Sequence, residues 1–556
     1  MTANASTSSV ASSVASRPET LRVDLAAEGL LGGLPAAFLA GTDRDLLTPL
    51  RFLPPGEAPS GSPPAGHLRR ELAAALAVSN RGYGHPNADE LARKLADPAT
   101  RVVVTGQQPG LLGGPLYAFA KMAAAARWAA EIEARGEPAV AIYWVATEDH
   151  DWAEVSAAVV PTPEGPRSFD LGPDPQPLAP VGMRSFGAGV EDVLRAITAA
   201  VPGDLYGKWI ATVGAWYRPD ARFGEAFSRL MVQLLGARSP LMLDAMHPAL
   251  KTAQRPWLRR LVERRVEIEE ALAGRDAEVT ARGYELRVQP QRKVSPLFLL
   301  SHGERRRIEW RGADSWTLRG REDGAGNVSG SSGSTADLLR IIDDNPGVVS
   351  PGVLARSALQ DAVLGSSLFL VGPGELAYMA QASAVYPVLE VDGPWIALRP
   401  QTLVLEGHQA EKLEGLGITL ADLLGDRKKL DHTLAVHGGT DFVAPIRRQI
   451  EAALDELRAP TLAADPSLER PLEKTREQIL RALDLFGEKA ESAAARRDDV
   501  RTRRLDQLRE ACLPLGRLQE RVIAAAHFQG KYGSRFAESY WEQMSLDPRF
   551  LQVISP

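Results

Sequence analysis

At 556 residues the chain exceeds one ordinary domain, and its 44% hydrophobic and 24% charged content is that of a globular protein with a sizeable core. A formal net charge of -6 excludes a general attraction to nucleic acid or anionic membrane. The single cysteine, Cys512, excludes an internal disulfide and any cysteine-based zinc cluster, and it suits a reducing, cytoplasmic compartment.

The Ser- and Ala-rich start lacks the basic end and continuous apolar run of a signal peptide, so residues 1–20 read as a disordered tail. An exposed Pro/Gly/Ser loop follows at Pro54 to Gly66. The most apolar helix candidate, near Pro115 to Ala130, is interrupted by Lys121 and Arg127, and no segment reads as membrane-spanning. From there to Pro400, short β-branched runs alternate with helical ones, the pattern of a mainly parallel α/β sheet.

The clearest unit begins at Arg101 and reads strand, Gly-rich turn, helix, strand. Val102 to Val104 form the first strand, Pro115 fits the first helical turn, Gly136 fits the helix stop, and Ala139 to Val145 form the next strand. A parallel crossover puts both strand ends on one sheet edge. The turn at Gly106, Gln107 and Gln108 is thereby brought beside Glu148, Asp149, His150 and Asp151.

Gly106, Gly110, Gly113 and Gly114 let backbone amides approach an anion, with the following helix N-terminus adding positive potential. The turn matches neither a Walker loop nor G-x-G-x-x-G, and a tight strand-to-helix connection is the competing reading. Tyr117 and Lys121 share a helical face; Lys121 is a phosphate-binding candidate and Tyr117 a substrate-binding one, against the commoner outcome of a solvated lysine. Three carboxylates around one histidine repel one another unless a cation or a substrate amine offsets them. Trp144 and Trp152 flank the cluster and argue against a freely solvated loop, so His150, Asp151, Asp149 and Glu148 are catalytic candidates.

Leu241 to Leu243 runs into Asp244, and Leu368 to Val371 runs into Gly372, Pro373, Gly374 and Glu375; in one sheet these ends converge. Gly372, Gly374 and Glu375 are cofactor-binding candidates, Glu375 alternatively a helix-start charge. Arg356 and Gln360, four apart, are an anion clamp and a substrate contact, with a surface salt bridge as the alternative for Arg356. Tyr378 and Gln381 are substrate contacts or packing residues.

A Gly/Ser-rich stretch, Gly320 to Ser334, tips an inserted hairpin or subdomain. From about Arg447 charged helices carry apolar residues at spacings of three and four, as in Ile446, Ile450, Leu454 and Leu457, which predicts a helical hairpin or coiled coil able to form a homodimer. Pro460, Pro466 and Pro471 separate two helical segments in this reading. Leu505, Leu508, Cys512 and Leu515 repeat the spacing, which puts Cys512 on a buried stripe and not at a reactive site. The expected division is a core over 21–400 with inserted connecting segments at about 160–240 and 280–345, a coiled coil over 401–530, and a C-terminal segment, 531–556, packing on the core.

VVVTGQQPGLLGGPLY, YWVATEDHDW, LVGPGELAYMAQ, and LQERV followed by KYG occur in the order of a known family. The chain resembles the bacillithiol biosynthesis cysteine-adding enzymes, also described as cysteine ligases, over roughly Arg101 to Gly533. The resemblance implies a Rossmann-like core related to class I aminoacyl-tRNA synthetases and nucleotidyltransferases, inserted connecting segments, a coiled-coil domain and homodimerisation. It implies that the cysteine carboxyl group is joined to the amine of glucosaminyl-malate, with Gly106, Gln107 and Gln108 at the nucleotide-phosphate turn and Thr147 to Asp151 facing the substrates. A free carboxylate acylates amines too slowly near neutral pH, so activation as an acyl-adenylate calls for ATP and Mg2+. Arg356 is then placed to neutralise an oxyanion, and His150 or an adjacent acid to take the amine proton. Zinc holding the cysteine thiol would need ligands from His and carboxylates, and no spacing specifies such a site. The competing functions are a nucleotidyltransferase or amide ligase on another metabolite and a non-catalytic nucleotide-binding coiled-coil assembly protein. No nucleic-acid or membrane partner is expected.

Overall fold

The computed structural model describes residues 19–290, 294–319, 321–322, 328–329, 331–437, 443–497 and 499–556. The expected N-terminal tail, up to residue 18, and parts of the Gly320 to Ser334 stretch lie outside the described residues. The chain divides into two compact units, one comprising Asp24–Leu403 with Gln519–Ile554, the other built on Val404–Leu518. The return to the first unit thus comes at Gln519, inside the segment assigned above to the coiled coil.

The larger unit is organised by a six-stranded sheet in the order Arg51–Phe52, Trp395–Leu398, Ser366–Val371, Arg101–Gln107, Ala139–Val145, Leu241–Asp244. Every pairing in it is parallel. The apolar runs at Val102 to Val104 and Leu368 to Val371 suit strands buried on both faces, and these residues are 0–3% exposed. Pro115 directly precedes the alanine-rich helix Leu116–Ala134 as its N-cap, and Gly136 follows its end with φ 87°, a left-handed conformation that glycine adopts without steric cost. The chain leaves the Arg101–Gln107 strand toward Ala139–Val145 on one side and later adds Ser366–Val371 on the other. The strand order therefore reverses at Arg101–Gln107, where open α/β sheets form their ligand crevice.

Two insertions follow the Ala139–Val145 strand and the Leu241–Asp244 strand. The first holds the antiparallel hairpin Ala157–Thr162 with Gly165–Asp170 and the helices Gly189–Ala200, Asp204–Gly214 and Phe223–Leu235. The second forms a five-stranded antiparallel sheet, ordered Ser332–Ser334, Ser315–Leu318, Glu304–Trp310, Val294–Ser301, Val349–Pro351.

The other unit is helical. Its longest helices are Val443–Ala464 and Glu469–Arg497, joined through Pro466 and tied by Arg447 to Asp484 at 2.9 Å. Pro460 does not separate segments: it lies inside Val443–Ala464, whose last turn continues past it. Leu505, Leu508 and Cys512 are 2%, 1% and 0% exposed, so the stripe is buried as its spacing predicts. Leu515 leaves it at 63% exposed, because the helix ends at Cys512. Burial pushes the Cys512 thiol up to about 12, which keeps it protonated and unreactive. Among the described residues no helix is long and apolar enough to cross a membrane.

Candidate active site

A cavity of about 370 Å³ opens at the carboxyl ends of the parallel strands. Its lining includes Gly106, Gln107 and Gln108 from the first turn, Glu148, Asp149, His150 and Glu154 from the next, Arg356, Glu375 and Tyr378 from later helices, and Phe298, Arg305 and Arg307 from the inserted sheet. Gly106 is required by close approach: a Cβ there would overlap the Trp144 carbonyl oxygen and lie 2.7 Å from the Trp144 Cβ on the neighbouring strand.

The turn side chains form a connected polar edge. Gln107 Nε2 donates to Gln108 Oε1 (2.8 Å) and lies 3.2 Å from both Tyr117 Oη and Glu154 Oε1, which share its second hydrogen, and Gln108 Nε2 donates to Asp149 Oδ2 (2.9 Å). Lys121 departs from the solvated or phosphate-reaching lysine considered above. It is 2% exposed, donates to the Gly106 carbonyl (2.8 Å) and Gln107 Oε1 (2.9 Å), and pairs with Glu375. Its ammonium fixes the turn from behind and is absent from the cavity lining, as is Tyr117. Glu375 also accepts from the Gly372 N–H (2.8 Å), closing the start of the helix Pro373–Ala382, while Gly372 and Gly374 stay outside the lining.

The four residues from Glu148 to Asp151 separate by role. Glu148 is 6% exposed and pairs with Lys251 of the helix Pro248–Glu263, whose ammonium also donates to the Val349 carbonyl (3.0 Å). Burial raises the Asp149 carboxyl, but the Arg305 charge and the hydrogen bonds from the His150 N–H and Gln108 outweigh it, leaving Asp149 below its ordinary value. Asp151 turns away from the lining to cap the short helix Trp152–Val155, accepting from the Glu154 N–H at 3.3 Å. Burial and then Arg305 push His150 below its ordinary value, against the pull of Asp149 and Asp151. Arg305 Nη1 lies 3.4 Å from His150 Nδ1; since a guanidinium only donates, the neutral ring carries its proton on Nε2.

Glu154, which the sequence reading passed over, lines the cavity with a carboxyl raised by burial and by the charges of Asp151 and Asp149. Arg305 and Arg307 were also missed. Their signal was the alternation in ERRRIEW, which sets both on one face of the strand Glu304–Trp310. Arg356 donates to Tyr378 Oη (3.2 Å), and both line the cavity. Gln360 and Gln381 do not. Gln360 is 2% exposed and bonds Asp361, one helical turn deeper than Arg356, and Gln381 is fully buried between Asp276 (2.8 Å) and the Val288 backbone. Among the described residues, no three His, Cys, Asp or Glu side chains are grouped to hold a metal ion.

Residues 60–400 match the family model described as bacillithiol biosynthesis BshC, N-terminal Rossmann-like domain, and residues 402–552 the one described as bacillithiol biosynthesis BshC, C-terminal coiled-coil domain. The protein of Solibacter usitatus named "Putative cysteine ligase BshC" is 30% identical over 492 residues, covering 86% of this chain and 88% of its own length. The protein of the same name from Salinibacter ruber is 30% identical over 500 residues, covering 87% and 88%. The one from Geobacillus kaustophilus is 25% identical over 460 residues, covering 80% and 82%. With both models matched in order over nearly the whole chain, this protein belongs to the bacillithiol biosynthesis BshC family.

Proposed function

We propose that this protein is a cysteine ligase that joins the carboxyl group of cysteine to the amine of glucosaminyl-malate, forming a carbon–nitrogen bond. The observation that carries the reading is the mixed charge of one cavity at the strand-order reversal: carboxylates at Asp149 and Glu154, guanidiniums at Arg305, Arg307 and Arg356. Such a site suits substrates that each bear an amine and a carboxylate. The names of the relatives supply the cysteine.

In the proposed chemistry a cysteine carboxylate oxygen attacks the α-phosphorus of ATP, and pyrophosphate leaves. The acceptor amine then attacks the acyl carbon, AMP leaves, and the amine proton passes to a carboxylate. Glu154 suits that last role, because its raised affinity for a proton is nearer to working pH than that of Asp149. His150, with Nδ1 turned to Arg305, presents Nε2–H as a donor to a developing oxyanion. Arg356 neutralises phosphate or acyl oxygen charge. The turn at Gly106, Gln107 and Gln108, which lines the cavity, is where a nucleotide phosphate would lie. Magnesium would arrive on those phosphates.

We further propose a homodimer through the coiled coil. Ile446, Leu457, Leu485 and Phe486 on its two long helices are 48–59% exposed, an apolar surface that a second copy would cover.

Incubation with cysteine, glucosaminyl-malate, ATP and magnesium, each omitted in turn, tests the reaction by mass spectrometry. The cysteinyl amide is expected only with all four. Amide without ATP would remove the adenylate step, and no amide would overturn the assignment of substrates.

A further inference from the structure

Glu520 lies in the LQERV segment, within the short helix Gln519–Arg521, and is 0% exposed. It grips the buried Arg399 with both oxygens: Nη2 donates to Oε1 (2.7 Å) and Nη1 to Oε2 (2.9 Å), and the Thr402 N–H also donates to Oε2 (2.9 Å). The backbone just past Glu520 is tied to the start of the helix Leu116–Ala134. The Leu116 N–H donates to the Ile523 carbonyl (2.8 Å), and the Ala525 N–H to the Gly114 carbonyl (2.9 Å). A buried ion pair adds little stability over a well-packed apolar pair, so this one calls for another reason. Arg399 also leaves its buried Nε–H without a hydrogen-bond partner among the described residues, a cost that the placement of its guanidinium must offset.

That placement is beside Tyr117. Arg399 Cζ lies 5.7 Å from the Tyr117 ring centroid, and Tyr117 Oη stands 3.2 Å from Gln107 Nε2. At the other end of the same amide, Gln107 Oε1 accepts from Lys121 (2.9 Å), which Glu375 holds. Two relays, Glu520–Arg399–Tyr117 and Glu375–Lys121, thus end on one side chain of the cavity wall. Resting on the amide-ligase reading, we propose that Glu520 is a positioning residue: through Arg399 and Tyr117 it fixes Gln107 and the turn where a nucleotide phosphate would lie.

The test compares wild type with Glu520→Gln, Glu520→Asp and the double variant Glu520→Gln with Arg399→Met. Glu520→Gln strands the guanidinium and lowers the melting temperature, whereas the double variant removes both charges and recovers most of it. If Glu520→Gln does not fold, the double variant still decides, because activity separates positioning from support. The double variant is expected to keep kcat/KM for ATP about 100-fold below wild type, the effect of a turn displaced by about 1 Å, while KM for glucosaminyl-malate stays unchanged. Glu520→Asp, which keeps the charge, falls between. Activity recovered together with stability would make the pair a support of the fold alone, and an acceptor KM raised as much as that of ATP would mean general loosening; either overturns the proposal. Hydrogen–deuterium exchange needs no turnover. Faster exchange in the double variant at 104–110 but not at 241–244 supports the relay even if wild type forms no amide, a result that sinks only the ligase reading. Exchange unchanged at 104–110 refutes the relay and leaves that reading standing.

Discussion

Lys251 and Glu148 form an ion pair inside the larger unit, each at most 6% exposed, at the back of the cavity that Glu148 helps to line. Burial, with Arg305 adding to it, pushes the Lys251 ammonium down to about 7. Removing one partner strands the other, which typically costs about 3–5 kcal/mol, while replacing both is close to neutral. Lys251→Met is therefore expected to lower stability by about 3–5 kcal/mol, and Lys251→Met with Glu148→Gln to recover most of it. Urea unfolding of the two variants checks this, and equal losses in both would contradict it.

The pH profile separates Glu154 from His150. A general base works when deprotonated, so the rate falls as pH drops through its pKa. Burial and the neighbouring Asp151 and Asp149 raise Glu154 above the ordinary carboxylate value, which places the acid limb there. Glu154→Gln should lower kcat by about 10²- to 10⁴-fold and remove the limb. His150→Gln should slow the reaction but keep the limb. Nitrogen-15 shifts of His150 should report the Nε2–H tautomer at neutral pH; Nδ1–H would contradict the Arg305 contact.

Much of this site was legible before any coordinates. The β-branched run at Val102 to Val104, the glycines after it and the acids after Val145 place two strand ends together, because a parallel crossover leaves little choice. Other parts depended on tertiary packing. Helical spacing put Gln360 with Arg356 and Gln381 near Tyr378, yet spacing does not say how far along a helix the cavity reaches, and both glutamines lie in the core. Lys121 sits in an alanine-rich helix, and its small neighbours were a sign of burial that the lysine itself obscured. Arg305 comes from a strand 155 residues beyond His150, and no local pattern fixes which face of an inserted sheet meets the core.

Gly106 offers a backbone test of the turn. An added methyl group would meet the Trp144 carbonyl oxygen and Cβ on the paired strand, neither of which is a flexible side-chain end. Gly106→Ala is expected to cost about 1–3 kcal/mol through overpacking. It should also lower kcat/KM about 100-fold by shifting the turn about 1 Å. Parallel measurement of melting temperature and kcat/KM decides, and full activity would deny the turn its place in the site.

The exposed apolar residues of the coiled coil give an oligomeric prediction. Leu457→Lys combined with Phe486→Lys should convert a dimer to a monomer in sedimentation velocity, because charge cannot be buried in such a seam without a partner. A wild-type monomer, or a dimer unaffected by the pair, would remove this surface from assembly.

The proposed ligase forms one bond, between the cysteine carboxyl carbon and the acceptor nitrogen. Turnover of cysteine labelled with carbon-13 at the carboxyl group and glucosaminyl-malate labelled with nitrogen-15 at the amine tests it directly by NMR of the product. A one-bond carbon–nitrogen coupling that grows with time and requires the protein is the expected result. A product without that coupling, or none in the complete mixture, would contradict it.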